Sequence, residues 1–457
     1  MARLMDIFLE MTAEAIWSIL EFAFYPLLIL LSVVIILAGC GCSVGIRQLY
    51  VKVLLIVFEW GREKIREKEE RRESNEVEPE PVANGVHVIE REIELNSKGT
   101  IVRKKLERLE SITQTSEFQL HDALDFFKCG IESIIEDEVT QRFSAAELAS
   151  WNLLTRTNTY HQFISYRLTT LWFIGFFLRY FILFPFRLIL IAFAIISLIT
   201  GNTILGYLKA GVVKRWLTYR LHVTCMRLGS RAFSAVIRFH DKENKAKGGG
   251  ICVANHTSPI DIIILGCDNM YAMVGQQQGG LFGAIQKGFS RAESHIWFQR
   301  SEVKDREAVA RRLKEHVSDI NKLPILIFPE GTCINNTSIM MFKKGSFEVG
   351  STIYPVAIKY DSRFADPFWN SSQENFAKHL INILSSWAIV VDVWYLPPQT
   401  QREGESSVQF ANRVKSYIAE RGGLVDLNWD GGLKRAKPKP QMMQKQQEDF
   451  SRRLKTD

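Results

Sequence analysis

Apolar and polar positions are distributed very unevenly along the chain. Between Glu21 and Arg47 lie 25 residues without a charge, Phe22 to Ile46, more than the roughly 20 that cross a bilayer as a helix. Residues 1–62 therefore read as an N-terminal membrane segment, with a cleaved signal peptide as second choice. A second apolar block, Leu168 to Leu208, is interrupted only by Arg179 and Arg187. Its last 21 residues, from Leu188, carry no charge, and Pro185 stands between the two arginines. That pattern predicts a helical hairpin over 166–210, dipping into one leaflet, with the arginines reaching to the headgroups. A buried core helix is the bland alternative.

Between these blocks, 63–116 is dense in both signs of charge ("EKIREKEERRESNEVEPEPVANG" at its start) and predicts a solvated linker. Residues 117–165 turn amphipathic, and Ser144 with Glu147 three residues on suits a helix start. From 211 to 432 glycine-punctuated apolar runs alternate with helical patterns such as "DREAVARRLKEHVSDI". The runs "GGGICVAN", "HIWF", "LPILIFP", "YPVAIKY" and "WAIVVDVWYL" predict short buried strands. The fold class is α/β, with a mixed, partly parallel sheet flanked by helices. Residues 433–457 form a basic tail.

Composition adds a few exclusions. The net charge of +7 over 457 residues suits anionic partners such as membrane headgroups or phosphate-bearing substrates. It is too mild and scattered for a nucleic-acid binder, and no motif of that class occurs. Seven cysteines without a CxxC pair argue for reduced thiols and against a zinc site. No G-x-S-x-G elbow and no H-E-x-x-H appear, which removes serine-hydrolase and zinc-hydrolase readings.

Candidate chemistry gathers in three stretches. In "CVANHTSPID" a strand ends at His256, and Ser258 at the N-cap with Pro259 at the first helical position puts Asp261 at the third. His256, in the loop before, can then fold back so that Asp261 accepts its N–H, fixing the tautomer and raising its basicity. The same spacing also fits a capping box between Ser258 and Asp261, with His256 an ordinary loop residue. Of nine histidines only His256 has an aspartate five residues on. The second stretch, "LPILIFPEGTCINNTSIMMFKKGSF", runs a strand into Pro329-Glu330-Gly331-Thr332, and strand C-termini of α/β folds are where ligands bind. Lys343 and Lys344 follow among apolar residues, though paired lysines are often only a solvated face. In the third, "HIWFQRSEVKDR", Arg300 lies just past a short strand, where it can grip a phosphate bidentately.

Together these stretches resemble the glycerolipid acyltransferase family. Asn255-His256 to Asp261 matches its H-x4-D block, Phe298-Gln299-Arg300 is similar to its second block, and Phe328 to Thr332 is a complete F-P-E-G-T. Ile353-Tyr354-Pro355-Val356 resembles its proline-containing strand. The wording around the blocks resembles the endoplasmic-reticulum glycerol-3-phosphate acyltransferases. One departure is His295, where the second block usually begins with glycine. The resemblance implies a glycerol-3-phosphate 1-O-acyltransferase, moving a fatty acyl group from acyl-CoA to the sn-1 hydroxyl of glycerol 3-phosphate to give lysophosphatidic acid. It implies His256 as general base and Asp261 as its orienting partner, with Arg300 and Lys343 or Lys344 on the substrate phosphate. Glu330, the Gly331 amide and Thr332 would shape the acceptor pocket and meet the oxyanion. No metal and no cofactor are implied beyond acyl-CoA as co-substrate.

Acylation of lysophosphatidic acid or another lysophospholipid, or a non-catalytic scaffold on the same fold, stays open at this point. The expected setting is the endoplasmic reticulum membrane, multi-pass. Arg47, Lys52, Arg62, Lys64 and Arg66 put the C-terminal side of the first segment, and with it the catalytic domain, in the cytosol. The sequons at Asn255, Asn335, Asn336 and Asn370 should then stay unglycosylated.

Overall fold

The computed structural model describes residues 25–26, 28–75, 141–144, 166–277, 294–298 and 306–434, with a few positions between 279 and 290. Contacts divide the chain into two units, residues up to Glu59 with those from Arg142 onward, and Trp60–Gln141. The sheet and the helices that cover it belong to the first.

Its centre is a seven-stranded mixed sheet. The strands are β1 (Val236–His240), β2 (Ile251–Ala254), β3 (Ala272–Gln276), β4 (Ile296–Phe298), β5 (Ile325–Ile327), β7 (Ile353–Tyr360) and β8 (Val390–Tyr395), in the order β1-β8-β7-β2-β5-β3-β4. All pairs are parallel except β7 with β8. A small separate pair joins β6 (Ser338–Ile339) to β9 (Val425–Asp426).

Alternation along the central strands explains why both faces are apolar. Cys252 and Ala254 of β2 pack on one side with Val356 and Ile358 of β7. Ile251 and Val253 pack on the other with Ile325 and Ile353. The first face is covered by α4 (Val212–Ala232) through Leu228 and Ala232, and by α5 (Asp261–Gly266) through Ile264 and Leu265. The second is covered by α6 (Arg306–Val317) through Leu313, and by α8 (Ser407–Gly422) through Phe410, Val414 and Ile418. The remaining helix, α7 (Phe376–Leu384), precedes β8. Two strands lack an apolar signature in sequence: β1, whose Arg238 and His240 both bond Asp392 of β8 at 2.7 and 2.8 Å, and glycine-bearing β3.

The hairpin expected over 166–210 is instead one helix, α3 (Tyr166–Gly206), 41 residues long. Pro185 does not break it, because residues Leu178–Leu183 just before it widen into π-helical turns; changing the bonding register there accommodates a residue without an N–H. Nor do the arginines reach outward. Arg187 is buried and donates to the carbonyls of Leu384, Ser386 and Trp387 and to Ser234 Oγ, at 2.5–2.9 Å. Arg179 donates to Ser385 O at 3.2 Å and lies over the Trp387 ring. Both donate to carbonyls at the end of α7 and just past it, Leu384 to Trp387, which ties α3 to the sheet domain.

The N-terminal apolar run forms α1 (Leu28–Cys40), shorter than a bilayer span within the described residues. Leu31, Val34, Ile35 and Ala38 pack on the core. After a turn, α2 (Ile46–Asn75) runs 30 residues, so the start of the expected linker, 63–75, is helical. Its mixed charges suit that state, as in the Lys64–Glu67 pair at 2.8 Å. The helices expected over 117–165 lie outside the described residues, apart from a 3-10 turn at Gln141–Phe143. The tail is described only to Lys434.

Candidate active site

Strands β2, β5 and β7 are parallel neighbours, so their C-terminal ends meet at one edge. His256 lies two residues past β2, Glu330 three past β5, and Tyr360 ends β7. This is the edge where open α/β sheets bind ligands. Asn255 fixes the exit of β2: its amide both donates to Ile358 O (2.9 Å) and accepts from Ile358 N (2.8 Å). Asn336 does the same to Tyr360, at 2.6 and 2.9 Å.

His256 Nδ1 lies 2.9 Å from Asp261 Oδ2. The same oxygen accepts the backbone N–H groups of Thr257 (2.9 Å) and Ser258 (3.0 Å), and Oδ1 accepts the Tyr360 hydroxyl. Asp261 is fully buried. Three donors besides the imidazole are aimed at this carboxylate, which acts as acceptor, so Nδ1 of the imidazole carries the hydrogen and in the neutral ring Nε2 holds the lone pair. The two sequence readings of Asp261 thus coexist. It closes the turn by accepting Ser258 N–H, as in a capping box, and it holds the imidazole. The helix begins at Asp261 itself, not two residues earlier at Pro259. The other half of the capping box is missing, because Ser258 Oγ pairs with His379 Nε2 at 3.0 Å.

The imidazole stacks on the Phe328 ring, centroids 4.2 Å apart. It opens on a cavity of about 400 Å³ whose walls include Met273, Leu326, Gly331, Thr332, Cys333 and Trp369. Burial disfavours its charged form, but the Cys333 sulfur and the Asp261 carboxylate outweigh burial and raise its pKa above that of an ordinary histidine.

The F-P-E-G-T turn is built differently from the expectation. Glu330 is buried and does not line the cavity; its two oxygens accept His256 N–H (2.7 Å) and Met340 N–H (2.8 Å). Burial pushes its carboxyl up to about 7. The Gly331 amide, expected at the oxyanion, is occupied by Phe328 O at 3.1 Å. Gly331 adopts φ +70°, and a Cβ there would come within 2.7 Å of Lys343 Nζ, so the turn needs glycine and carries the ammonium against it. Thr332 and Cys333 line the cavity, and their amides have no hydrogen-bond acceptor among the described residues. Lys344 turns away to Glu348 at 2.7 Å, exposed. Arg300 lies outside the described residues.

Sequence reasoning missed Tyr360 and His379. Neither spacing nor composition marks them; only the pairing of β2 with β7, and the approach of α7 to the turn before α5, bring them to Asp261 and Ser258.

A strand-end histidine on a buried carboxylate lines a cavity with apolar side chains and with Thr332 and Cys333, and residues 236–359 match the family described as Acyltransferase. The match to whole proteins is narrower. The chain is 52% identical to "Glycerol-3-phosphate acyltransferase 3" of Danio rerio, over 96% of each chain. It is also 52% identical to "Glycerol-3-phosphate acyltransferase 4" of Homo sapiens, over 93% of this chain and 92% of that one. "Glycerol-3-phosphate acyltransferase 3" of Gallus gallus matches equally, over 93% and 92%. The chain belongs to the glycerol-3-phosphate acyltransferase family.

Proposed function

We propose that the chain transfers a fatty acyl group from acyl-CoA to the sn-1 hydroxyl of glycerol 3-phosphate, giving lysophosphatidic acid. The observation that carries this reading is the His256 ring, held at Nδ1 by Asp261 and lining the cavity beside Cys333. Nε2 takes the hydroxyl proton as the oxygen attacks the thioester carbonyl. The tetrahedral oxyanion meets the amides of Thr332 and Cys333. Collapse breaks the C–S bond, and the departing thiolate recovers the proton from the imidazolium. The thioester is already activated, so no acyl-enzyme is required. Lys343, held over Gly331, and Arg300 take the acceptor phosphate, while Ile262, Met273 and Leu326 receive the start of the acyl chain.

Membrane attachment through one leaflet fits α3 better than a crossing. At 1.5 Å per residue its length is about 60 Å, twice the ~30 Å hydrocarbon core. Leu171, Leu190, Ala194 and Leu198 press on the domain, whereas Phe173, Phe177, Phe181, Ile189 and Ile196 are exposed, the division of an interfacial helix. The membrane is that of the endoplasmic reticulum, with the site on its cytosolic side.

The test is turnover of acyl-CoA by the purified protein with glycerol 3-phosphate against lysophosphatidic acid as acceptor, for wild type and His256→Ala. Preference for glycerol 3-phosphate, lost in a folded His256→Ala protein, is expected. Preference for lysophosphatidic acid would reassign the acceptor, and an active His256→Ala protein would remove the base.

A further inference from the structure

A second cavity, of about 180 Å³, lies where the turn after α1 meets α4 and β1, and nothing in the proposed reaction uses it. Arg47, Arg227, Arg231 and Lys242 line it. The one carboxylate in the lining, Asp268, is already held by Lys245 at 2.7 Å and Lys242 at 3.7 Å. Each guanidinium donates only to a carbonyl: Arg47 to Ala235 (2.6 Å), Arg227 to Cys267 (3.0 Å) and Arg231 to Cys42 (3.0 Å). None has an acidic partner among the described residues, and Arg231 Nη1 is buried with no acceptor.

Three charges so arranged oppose one another. Burial, with Arg47 and Arg227 nearby, pulls Arg231 down to about 10. Carbonyl partners position a guanidinium but neutralise nothing, and a buried donor left open costs the full desolvation of that group. An anion in the cavity would relieve both. The backbone is shaped for this placement. Gly41 sits at φ +73°, and a Cβ there would come 2.6 Å from Arg227 Nη1, so any side chain at 41 would displace the guanidinium.

The surroundings choose among anions. The cavity opens at the end of α1, whose Ile29, Leu30, Val33 and Ile36 face outward, so the cations sit at the polar end of an exposed apolar helix, the depth of a headgroup. We propose that this cavity binds the phosphomonoester headgroup of an anionic phospholipid, as a site separate from the catalytic one. Arginine forks suit phosphate oxygens, and a dianion matches the excess of positive charge.

The experiment uses the full chain in detergent, titrated with dioctanoyl phosphatidate, dioctanoyl phosphatidylcholine and inorganic phosphate, with binding read by thermal shift and equilibrium dialysis. Saturable binding of phosphatidate but not of phosphatidylcholine is expected. Arg231→Gln and Arg227→Gln should each weaken it by about tenfold to a hundredfold, the loss of a charge-assisted bond. Lys242→Gln, at an exposed position, should weaken it severalfold with no effect on folding. Phosphatidate affinity unchanged in Lys242→Gln and in either folded arginine variant would overturn the proposal. So would binding lost in Trp369→Ala instead, which puts the lipid in the first cavity. Equal occupancy by inorganic phosphate would make the ligand a soluble anion and overturn the lipid assignment.

Discussion

Asp261→Asn separates the two tasks that the structure gives this carboxylate. If the amide oxygen takes the Oδ2 place, it can still accept from Thr257, Ser258 and His256, and the Tyr360 hydroxyl can rotate to accept from the new NH2. Every bond then survives in neutral form, so the tautomer of His256 is kept. Exchanging charge-assisted for neutral bonds should cost stability only about 1–2 kcal/mol. What vanishes is the charge facing the imidazolium as it forms. At ~4 Å and an effective dielectric constant of ~20 that attraction is about 4 kcal/mol, or up to ~10³ in rate at ~1.4 kcal/mol per tenfold. Denaturant melts and kcat should therefore part company, with a folded protein slowed by ~10²–10³. The pH profile gives a second reading. A base must be neutral to act, and Asp261 helps raise the His256 pKa. Wild-type kcat/KM should climb with pH to a limb above the ordinary histidine range, while the variant's limb shifts downward because burial then acts with less opposition. A rate within about threefold of wild type, under 1 kcal/mol of barrier, with an unmoved limb, would refute the argument and leave Asp261 as a turn residue.

Tyr360→Phe removes one donor to Asp261 and leaves a buried oxygen less satisfied, so a loss of about 1–3 kcal/mol in stability is expected from urea melts, together with a pH–rate limb raised relative to wild type. Glu330→Gln cannot accept two N–H groups on two carbonyl oxygens; either His256 or Met340 loses its acceptor, and kcat should fall about tenfold or more as the base shifts. Because burial raises the Glu330 carboxyl from 4.5 to about 7, its folded form keeps the proton longer; wild-type stability should fall, relative to Glu330→Gln, as pH rises across that window. Arg187→Ala strands the buried carbonyls of Leu384 and Ser386, Trp387 O keeping the Tyr50 hydroxyl, so a loss of about 2–4 kcal/mol is expected, seen as a lowered Tm and poor recovery from detergent.

Some elements could be read from the sequence for a simple physical reason. Strands β2, β5, β7 and β8 are short apolar runs buried on both faces, and burial leaves its mark residue by residue. The edge strand β1 escapes because it carries the partly exposed Arg238 and His240, which meet Asp392 from 154 and 152 positions away. The hairpin expectation rested on Pro185 and two arginines, each of which commonly ends a lipid-facing helix. Here a π-helical stretch takes up the proline, and α7 offers the arginines carbonyls that no local pattern reveals. The His256–Asp261 approach was legible because five residues and one turn contain it. Tyr360, joining from β7, and the clamp made by Glu330 were not, since both depend on strand order. Gly331 illustrates the limit: its presence in a motif was visible, but the destination of its amide was set by the turn.

The two asparagines that stitch β7 to its surroundings carry a consequence for where the chain can be made. Asn255 and Asn336 are both glycosylation sequons, and the nitrogen that would bear a sugar is in each case the one donating to a β7 carbonyl, Ile358 or Tyr360. Both side chains are buried. A glycan added during synthesis would place a bulky hydrophilic branch where the sheet must close, beside the base and the tyrosine that orients its carboxylate. In a glycosylating lumen the sequence would compete with its own folding, each modified molecule being lost to the native state. The sheet thus works as a filter, admitting only chains in which Asn255 and Asn336 carry no glycan.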